Sequence, residues 1–318
     1  MKFKADITDH GLRLLEKGIL PTLEKFGKTC QLLLGPVDIH LLQTAVNTDG
    51  AHTVVRLAHE AIFEANSLRL ESKHHNLIAF TLELALLSRV LRAAGANDAD
   101  LLEVKLALRN VSSGPNGVTQ ARPFLTFTSQ GANMNMVQDL PITKPFIAEE
   151  IDKLSREKDL AQLCPYYINL QGEVSRLQGL VDKSKGISST MTLVTTKGGA
   201  IHIHVDGGSV QLACEMHGLQ VFPAGVSETA TPITATSAEA RLKEAIEKGQ
   251  TASVCLLARH FGKSLQGGQL TQPAQLLCGI GENLGYVHLL FIFRDPLSEG
   301  GYDDNMGLSF KLPVRDDS

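Results

Sequence analysis

The chain has 318 residues, 43% of them apolar and 20% charged, with 30 Lys and Arg against 34 Asp and Glu for a formal net charge of -4. That length holds two domains with cores of their own, and the acidic balance excludes a protein that is basic all over, as a general nucleic-acid binder usually is. No apolar run approaches the roughly 20 residues that cross a bilayer, and the first residues alternate apolar and polar without the core of a signal peptide.

A strand is predicted over residues 2–7, with Phe3, Ala5 and Ile7 on one face. A helix over 11–28 follows, with Asp9 as its N-cap. On it Leu12, Leu15, Ile19, Leu23 and Phe26 fall within an arc of roughly 80°, and Arg13, Lys17 and Lys28 within roughly 60° on the other side. Pro21 removes a backbone donor and crowds the preceding turn, so this helix is expected to bend or split. Strands are predicted over 29–34, 38–45, 52–58 and 77–82, with turns at Gly35-Pro36 and over 47–50. A second helix over 84–94 buries Leu84, Leu87, Leu91 and Ala94, turns Arg89 and Arg92 away, and ends at Gly95 as a left-handed terminator. Strands over 101–108, 124–128 and 136–142 complete the half, and the Ser-, Gly- and Asn-rich stretch 112–121 reads as an exposed loop.

Residues 143–164 carry Pro145 and a charged run over 149–159, and read as a partly helical connector. The pattern then restarts with a strand over 166–170. A third helix over 172–184 sets Val174, Leu177 and Val181 against Arg176 and Lys183. Strands over 191–196, 200–205 and 210–216 are joined by Gly198-Gly199 and Gly207-Gly208, which predict hairpin turns. Residues 222–240 are dominated by Ser, Thr, Ala and Pro and read as a surface insertion, followed by a short helix over 241–248. A strand over 253–256 leads into a fourth helix over 257–266, where Leu257, Phe261 and Leu265 oppose Arg259 and Lys263. Strands over 275–280, 286–293 and 308–312 follow, with a polar loop over 294–305 and a charged tail of Arg315, Asp316, Asp317 and Ser318.

The order strand, helix, several strands, helix, several strands therefore occurs twice. More strands than helices, joined by short turns, predict an α+β fold of antiparallel sheets with the helices gathered on one face. A doubly wound parallel sheet would need a helix after nearly every strand. The expected boundaries are a domain over 1–143, a connector over 144–165 and a domain over 166–318.

The catalytic motifs fail. Gly262-Lys263-Ser264 lacks the earlier Gly of a phosphate loop, because Leu257 stands there, and the Gly-rich stretch 265–269 does not suit the long helix such a loop needs. Gly279, Gly281 and Gly285 follow a strand with no helix behind them, which reads as a hairpin turn. His202 and His204 share one strand face but lack a third metal ligand nearby, and His74-His75 reads as a loop. Neither GxSxG nor HExxH occurs. Cys30, Cys164, Cys214, Cys255 and Cys278 are far apart without CxxC, as in a reducing intracellular compartment without disulfides or zinc. The expectation is a non-catalytic protein with no cofactor and no metal. Any one amphipathic helix puts charge in water, so a single cationic face means little. The same pattern on four helices of an acidic chain points to a local polyanion-facing surface.

The residues also carry a resemblance. The opening Met1-Lys2-Phe3-Lys4-Ala5, Lys28-Thr29-Cys30, the helix Leu86-Leu87-Ser88-Arg89-Val90-Leu91-Arg92-Ala93-Ala94, Leu102-Glu103-Val104-Lys105-Leu106, Asp139-Leu140-Pro141-Ile142 and Ser253-Val254-Cys255-Leu256-Leu257 resemble the Hus-type subunit of the nine-one-one DNA damage checkpoint clamp. The resemblance covers most of the chain in order, and the stretches 222–240 and 294–305 depart from it. It implies a sliding-clamp (PCNA-like) fold with two similar domains per subunit, three subunits in a ring, sheets outside and four helices lining the hole. It implies Rad-nine and Rad-one type partner subunits, a clamp loader, double-stranded DNA held without sequence specificity, checkpoint kinase activation, recruited repair enzymes, and work in the nucleus. The residues it marks as DNA-facing are Arg13, Lys17, Lys28, Arg89, Arg92, Arg176, Lys183, Arg259 and Lys263. The nearest alternative is a self-associating replicative clamp, against which stands the ending Leu308-Ser309-Phe310-Lys311-Leu312-Pro313-Val314, without the acidic tail expected there. An alternative of another class is a protein-only scaffold whose basic faces are merely solvated.

Overall fold

Alternation decides the first element: in β1 (Lys2–Ile7) Phe3, Ala5 and Ile7 are buried while Lys2 and Lys4 are exposed. The computed structural model describes residues 1–97, 99–113, 118–131, 134–158, 164–223, 231, 233–294 and 302–315. The chain divides into two compact units. The first comprises Met1–Asp49, Thr53–Leu160 and Asp304–Gly307, and the second Gly50–His52, Ala161–Asp303 and Leu308–Ser318.

In the first unit the N-cap is Thr8 and not Asp9. The Thr8 hydroxyl accepts from the Gly11 N–H at 2.9 Å and donates to the Ile62 carbonyl at 3.1 Å. Asp9 instead opens the helix, where its charge suits the positive end. The first helix is three pieces: α1 (Asp9–Arg13), a π-helical stretch (Leu14–Ile19) and α2 (Leu20–Glu24). Pro21 sits at the start of α2, so the strain expected of a mid-helix proline is relieved by widening the turn before it, with Leu20 N–H reaching back to the Leu15 carbonyl. The Gly18 carbonyl is taken by the Thr22 hydroxyl at 2.8 Å. Leu15, Ile19, Leu20, Leu23 and Phe26 are buried.

Next come β2 (Thr29–Leu34), β3 (Asp38–Gln43), β4 (His52–Ala58) and the single turn α3 (His59–Ile62). The short β5 (Arg69–Glu71) and β6 (Ile78–Glu83) lead to α4 (Leu84–Ala96). Then follow β7 (Ala99–Ser113), β8 (Val118–Gly131), β9 (Asn135–Pro141) and α5 (Ala148–Lys158). The strands pair antiparallel in the orders β5-β1-β7-β8-β9 and β6-β2-β3-β4. α2 packs on the inner face of the second sheet, where the buried Gln43 amide donates to the Leu23 carbonyl at 3.1 Å.

Two expectations change here. α4 passes through Gly95 and ends at a right-handed Asn97 (φ -81°), whose side-chain amide ties the helix end to Ser129 Oγ at 3.0 Å and the Met134 carbonyl at 3.2 Å. Most of the polar stretch 112–121 is ladder and not loop, because Val111 pairs with Gln120 and Ser113 with Val118; residues 114–117 lie outside the described residues.

The second unit opens with β10 (Tyr166–Asn169), a 3₁₀ turn (Gln171–Glu173) and α6 (Val174–Ser184). Strands β11 (Thr190–Thr196), β12 (Ile201–Asp206), β13 (Gln211–Met216) and β14 (Val221–Pro223) follow, then α7 (Ala238–Glu247). β15 (Thr251–Leu257), α8 (Ala258–Thr271), β16 (Gln275–Ile280), β17 (Tyr286–Arg294) and β18 (Tyr302–Arg315) complete it. The strands pair antiparallel in the orders β13-β12-β11-β15 and β14-β10-β16-β17, and β15 also pairs β18. The predicted turn at Gly198-Gly199 forms with Gly199 at φ +80°, where a Cβ would lie 2.2 Å from the Leu219 carbonyl oxygen. The loop carrying Gly281 and Gly285 is the expected hairpin, closed by the Gly281 N–H on the Tyr286 carbonyl at 3.0 Å.

The fourth helix runs to Thr271, five residues past its predicted end. Gly267 and Gly268 are buried, and a Cβ on Gly268 would lie 3.3 Å from Phe291, so these glycines let α8 approach the sheet and do not break it. Of the predicted insertion 222–240, Val221–Pro223 is strand and Ser237 caps α7, while residues 224–230 and 232 lie outside the described residues. In the stretch 294–305, residues 295–301 likewise lie outside them, as do Asp316–Ser318 of the tail. The five cysteines are free. Among the described residues no helix is long and apolar enough to cross a membrane.

Gly11 is where α1 touches α3: a Cβ there would lie 2.5 Å from the Ile62 carbonyl oxygen and 2.7 Å from Ile62 Cα, both backbone. Gly11→Ala therefore destabilises the first unit by about 2 kcal/mol through overpacking that no side chain can relieve. Urea unfolding of the two proteins at one pH measures it, and equal midpoints contradict it.

Candidate nucleic-acid interface

A helix laid on a sheet must turn its second face outward. In the first unit that face carries Arg13 at the end of α1, Lys17 in the π-helical stretch, and Arg89 and Arg92 on α4, all exposed. The first helix and α4 border a groove of about 690 Å³ whose lining includes Arg13, Lys17 and Arg92 together with the acids Asp9, Glu16 and Glu64. Arg92 stands 3.9 Å from Glu16 across this groove. Lys28 is placed differently from the sequence reading. It lies past the end of α2, just before β2, and its carbonyl accepts the Leu84 N–H that opens α4 at 2.9 Å. The 3.6-residue period of the sequence runs on to Lys28, but the helix stops at Glu24.

In the second unit α6 presents Arg176 and Lys183, and α8 presents Arg259 and the half-buried Lys263. Arg176 is held by Glu173 at 3.1 Å, one helical turn away. Lys185, one residue past the end of α6, is a further exposed cation that the sequence reading stopped short of; the Lys183–Lys185 spacing was its signal. It pairs with Asp182 at 2.8 Å, which with Gln178 holds the Asp182 carboxyl below its usual range. α6 and α8 meet at Gly262, where a Cβ would lie 3.1 Å from Val181 Cγ1 and 2.8 Å from Lys185 Nζ. Of the nine predicted DNA-facing residues, Arg13, Lys17, Lys28, Arg89 and Lys183 are exposed without an ion-pair partner.

The Gly262-Lys263-Ser264 stretch lies inside α8. Ser264 is buried, with its hydroxyl 3.1 Å from the His260 carbonyl and 2.9 Å from the Phe261 carbonyl, so it faces no open loop. His202 and His204 do stack on one strand face, with ring centroids 6.4 Å apart. An acid is near them after all: Glu215 sits opposite His202 on β13, 3.8 Å from its Nε2. Arg241 of α7 holds both Glu215 oxygens and keeps that carboxyl below its usual range. Among the described residues no cluster of three metal-binding side chains forms.

A family model for Hus1-like protein matches residues 1–298. The chain belongs to the Hus1-like family. Its fold is that of the DNA sliding clamps. Proliferating cellular nuclear antigen from Entamoeba histolytica superposes with a TM-score of 0.60 at 10% identity, over 99% of each chain. PCNA from Thermococcus kodakaraensis superposes with a TM-score of 0.59 at 15% identity, over 98% of this chain and all of that one (100%). No curated protein matches this Hus1-like chain by sequence. Family and fold together give it a sliding-clamp role in the DNA damage checkpoint. Hus1-like and PCNA-like proteins are as a class scaffolds without a catalytic step.

His260 is buried between the two cations of α8. Burial first, then Arg259, Lys263 and Arg315, push its imidazole down to about 4. His288, half-buried near Lys311, is likewise pushed down to about 4. Unfolding frees both to take protons near their ordinary value of about 6.5, so the stability they allow at neutral pH is lost as pH falls from there toward 4. His260 alone costs roughly 2 kcal/mol at pH 5 relative to pH 7. Thermal unfolding at the two values measures this, with a smaller loss expected in His260→Gln; the same loss in both contradicts the assignment.

Proposed function

We propose that this chain is the Hus-type, non-catalytic subunit of a heterotrimeric checkpoint clamp that encircles double-stranded DNA at sites of damage. Its partners are Rad-nine and Rad-one type subunits. A clamp loader places the ring, which supports checkpoint kinase activation and recruits repair enzymes in the nucleus. The proposed domains are 1–143 and 166–318, joined by 144–165. What carries the reading is the family match over residues 1–298 in an acidic chain with the exposed, unpaired cations Arg13, Lys17, Arg89 and Lys183 on its helices.

Phosphate contacts carry no sequence information, so a cationic lining holds any duplex equally. Contacts through water and screened over about 10 Å stay weak enough for sliding. Arg13, Lys17, Lys28, Arg89, Arg92, Arg176, Lys183, Arg259 and Lys263 are the proposed DNA-facing residues. Arg13, Lys17, Arg89 and Lys183 matter most, because they need not leave a carboxylate to meet a phosphate. Closed rings use head-to-tail interfaces, and β9 and β13, which are edge strands among the described residues, offer backbone for them.

The assembly is tested by native mass. The purified chain alone is expected at 34.3 kDa, and as one of three different chains in equal amounts once Rad-nine and Rad-one type subunits are added. A stable three-copy ring of this chain alone would overturn the assignment in favour of a replicative-type clamp. The lining is tested on the assembled ring loaded on closed circular DNA. Exchanging Arg13, Lys17, Arg89 and Lys183 for Gln is expected to leave assembly intact and lower retention at low salt. The log–log salt slope should flatten by about 0.9 for each lost phosphate contact. Unchanged retention would instead favour a protein-only scaffold.

A further inference from the structure

Like charges directly opposite one another on a sheet cost stability, and the sheet β5-β1-β7-β8-β9 keeps cations in that arrangement. Lys4 of β1 stands opposite Arg69 of β5 on one side and Lys105 of β7 on the other, and Arg109 of β7 stands opposite Arg122 of β8. Alternation puts all five on one face, because Phe3, Ala5, Leu102, Val104, Leu125 and Phe127 are buried on the other. The buried face is the one the helices cover: Gln138 of β9, which alternates with Asp139, reaches the Val90 carbonyl of α4. The cationic face is therefore turned away from the helices that carry the proposed DNA lining.

Among the described residues, the acids these strands place on the same face are Asp6, Glu71, Glu103 and Asp139, which the five cations and Lys2 outnumber. Glu103 alone answers both Lys4 at 2.5 Å and Lys105 at 3.1 Å, and Asp139 holds Arg109 at 2.9 Å, while Arg69 is exposed without an ion-pair partner. β7 and β8 also run on beyond their neighbours. β1 pairs β7 only as far as Lys105 and β9 pairs β8 only from Phe124, yet the β7–β8 ladder continues to Ser113 and Val118. On this free hairpin Arg109, Asn110, Gln120 and Arg122 are exposed. Of the 34 Asp and Glu in the chain none lies between Glu103 and Asp139, and that stretch is rich instead in Ser, Thr, Asn and Gln.

We propose that this face and its hairpin form a second nucleic-acid surface, which takes the phosphodiester backbone of a duplex segment distinct from the one the helices meet. Arg and Lys together with Asn, Gln, Ser and Thr are the side chains that contact phosphate and sugar oxygens. Lys105 and Arg109 lie about 14 Å apart along β7 at about 3.4 Å per residue. The cations thus form an extended stripe, which suits a polyanion better than a single charged group. A two-stranded ribbon is also narrow enough to enter a major groove of about 12 Å. The inference goes beyond the clamp reading, and it is measured on the isolated chain, so it stands or fails separately from ring assembly.

The probe is a short fluorescein-labelled DNA duplex, titrated at low salt into the wild-type chain, the face variant Arg69→Gln/Arg109→Gln/Arg122→Gln and the helix variant Arg13→Gln/Lys17→Gln/Arg89→Gln/Lys183→Gln. Anisotropy is expected to show the face variant binding roughly fivefold or more weaker than wild type, with a salt slope flatter by about 0.9 for each lost phosphate contact. Wild-type affinity in the face variant overturns the proposal, whatever the helix variant does, since that variant tests the lining. A face variant that loses binding to a labelled poly-glutamate peptide and not to the duplex assigns the surface to an acidic protein segment, and also overturns it. Lysine acetylation of the wild-type chain, read by mass spectrometry, tests it without any substitution. Saturating duplex is expected to slow labelling of Lys4 and Lys105 roughly threefold or more at low salt and not at high salt. Unchanged labelling of both overturns the proposal.

Discussion

Every long helix here except α5 and α7 buries one stripe on the inner face of an antiparallel sheet, and the rest of the architecture depends on that contact. It explains why α4 buries Leu84, Leu87 and Leu91 while Arg89 and Arg92 stay exposed. It explains why α8 is built with glycine where it approaches Phe291 and Val181, since a larger residue would hold the helix off its support. It also explains why Pro21 is tolerated. The buried Leu15, Ile19, Leu20 and Leu23 fix the path of the chain, and the backbone adjusts through a π-helical stretch to keep them in place.

The outward faces follow from the same contact, but their charge is graded and not uniform. In the first unit Arg13, Lys17 and Arg89 stand without ion partners, and only Arg92 leans toward Glu16. On α6 and the residue after it, two of the three cations are engaged by acids one turn away, Arg176 by Glu173 and Lys185 by Asp182. Such exposed pairs contribute little to stability, about 0–1 kcal/mol each. Their effect is on availability, because a cation facing its own carboxylate offers a weaker field to an outside phosphate. An acidic chain can thus carry cationic surfaces without becoming generally adhesive.

The outer sheet faces show a second consequence. Where an outer sheet face carries an apolar patch, as Leu33, Leu42 and Ala79 form beside Gln31, His40 and Thr81, something must cover it. In the first unit α5 does so through Ile151 and Leu154. In the second unit the corresponding residues form an aromatic cluster around Cys164, Tyr167, Leu277 and Tyr286, with the Tyr167 hydroxyl 2.8 Å from His288 Nδ1. The two units repeat a topology and solve this problem by different chemistry.

Much of this was legible in the sequence, because period 2 and period 3.6 are local properties. Phe3, Ala5 and Ile7 announce β1, Val174, Leu177 and Val181 announce α6, and Gly199 announces its turn from its own lack of a Cβ. The family resemblance was legible for the same reason, in short ordered runs of residues. What only the tertiary structure decided depends on residues far apart in the chain. Lys28 leaves the helix because the chain must turn into β2. The polar stretch after Val111 becomes strand because Gln120 and its neighbours pair with it. Glu215 belongs to Arg241 of α7, 26 positions on. Ile151 and Leu154 read as part of a charged connector until Leu33, Leu42 and Ala79 meet them. A sequence states which faces a segment can have; which partner covers each face is fixed only when the chain closes on itself.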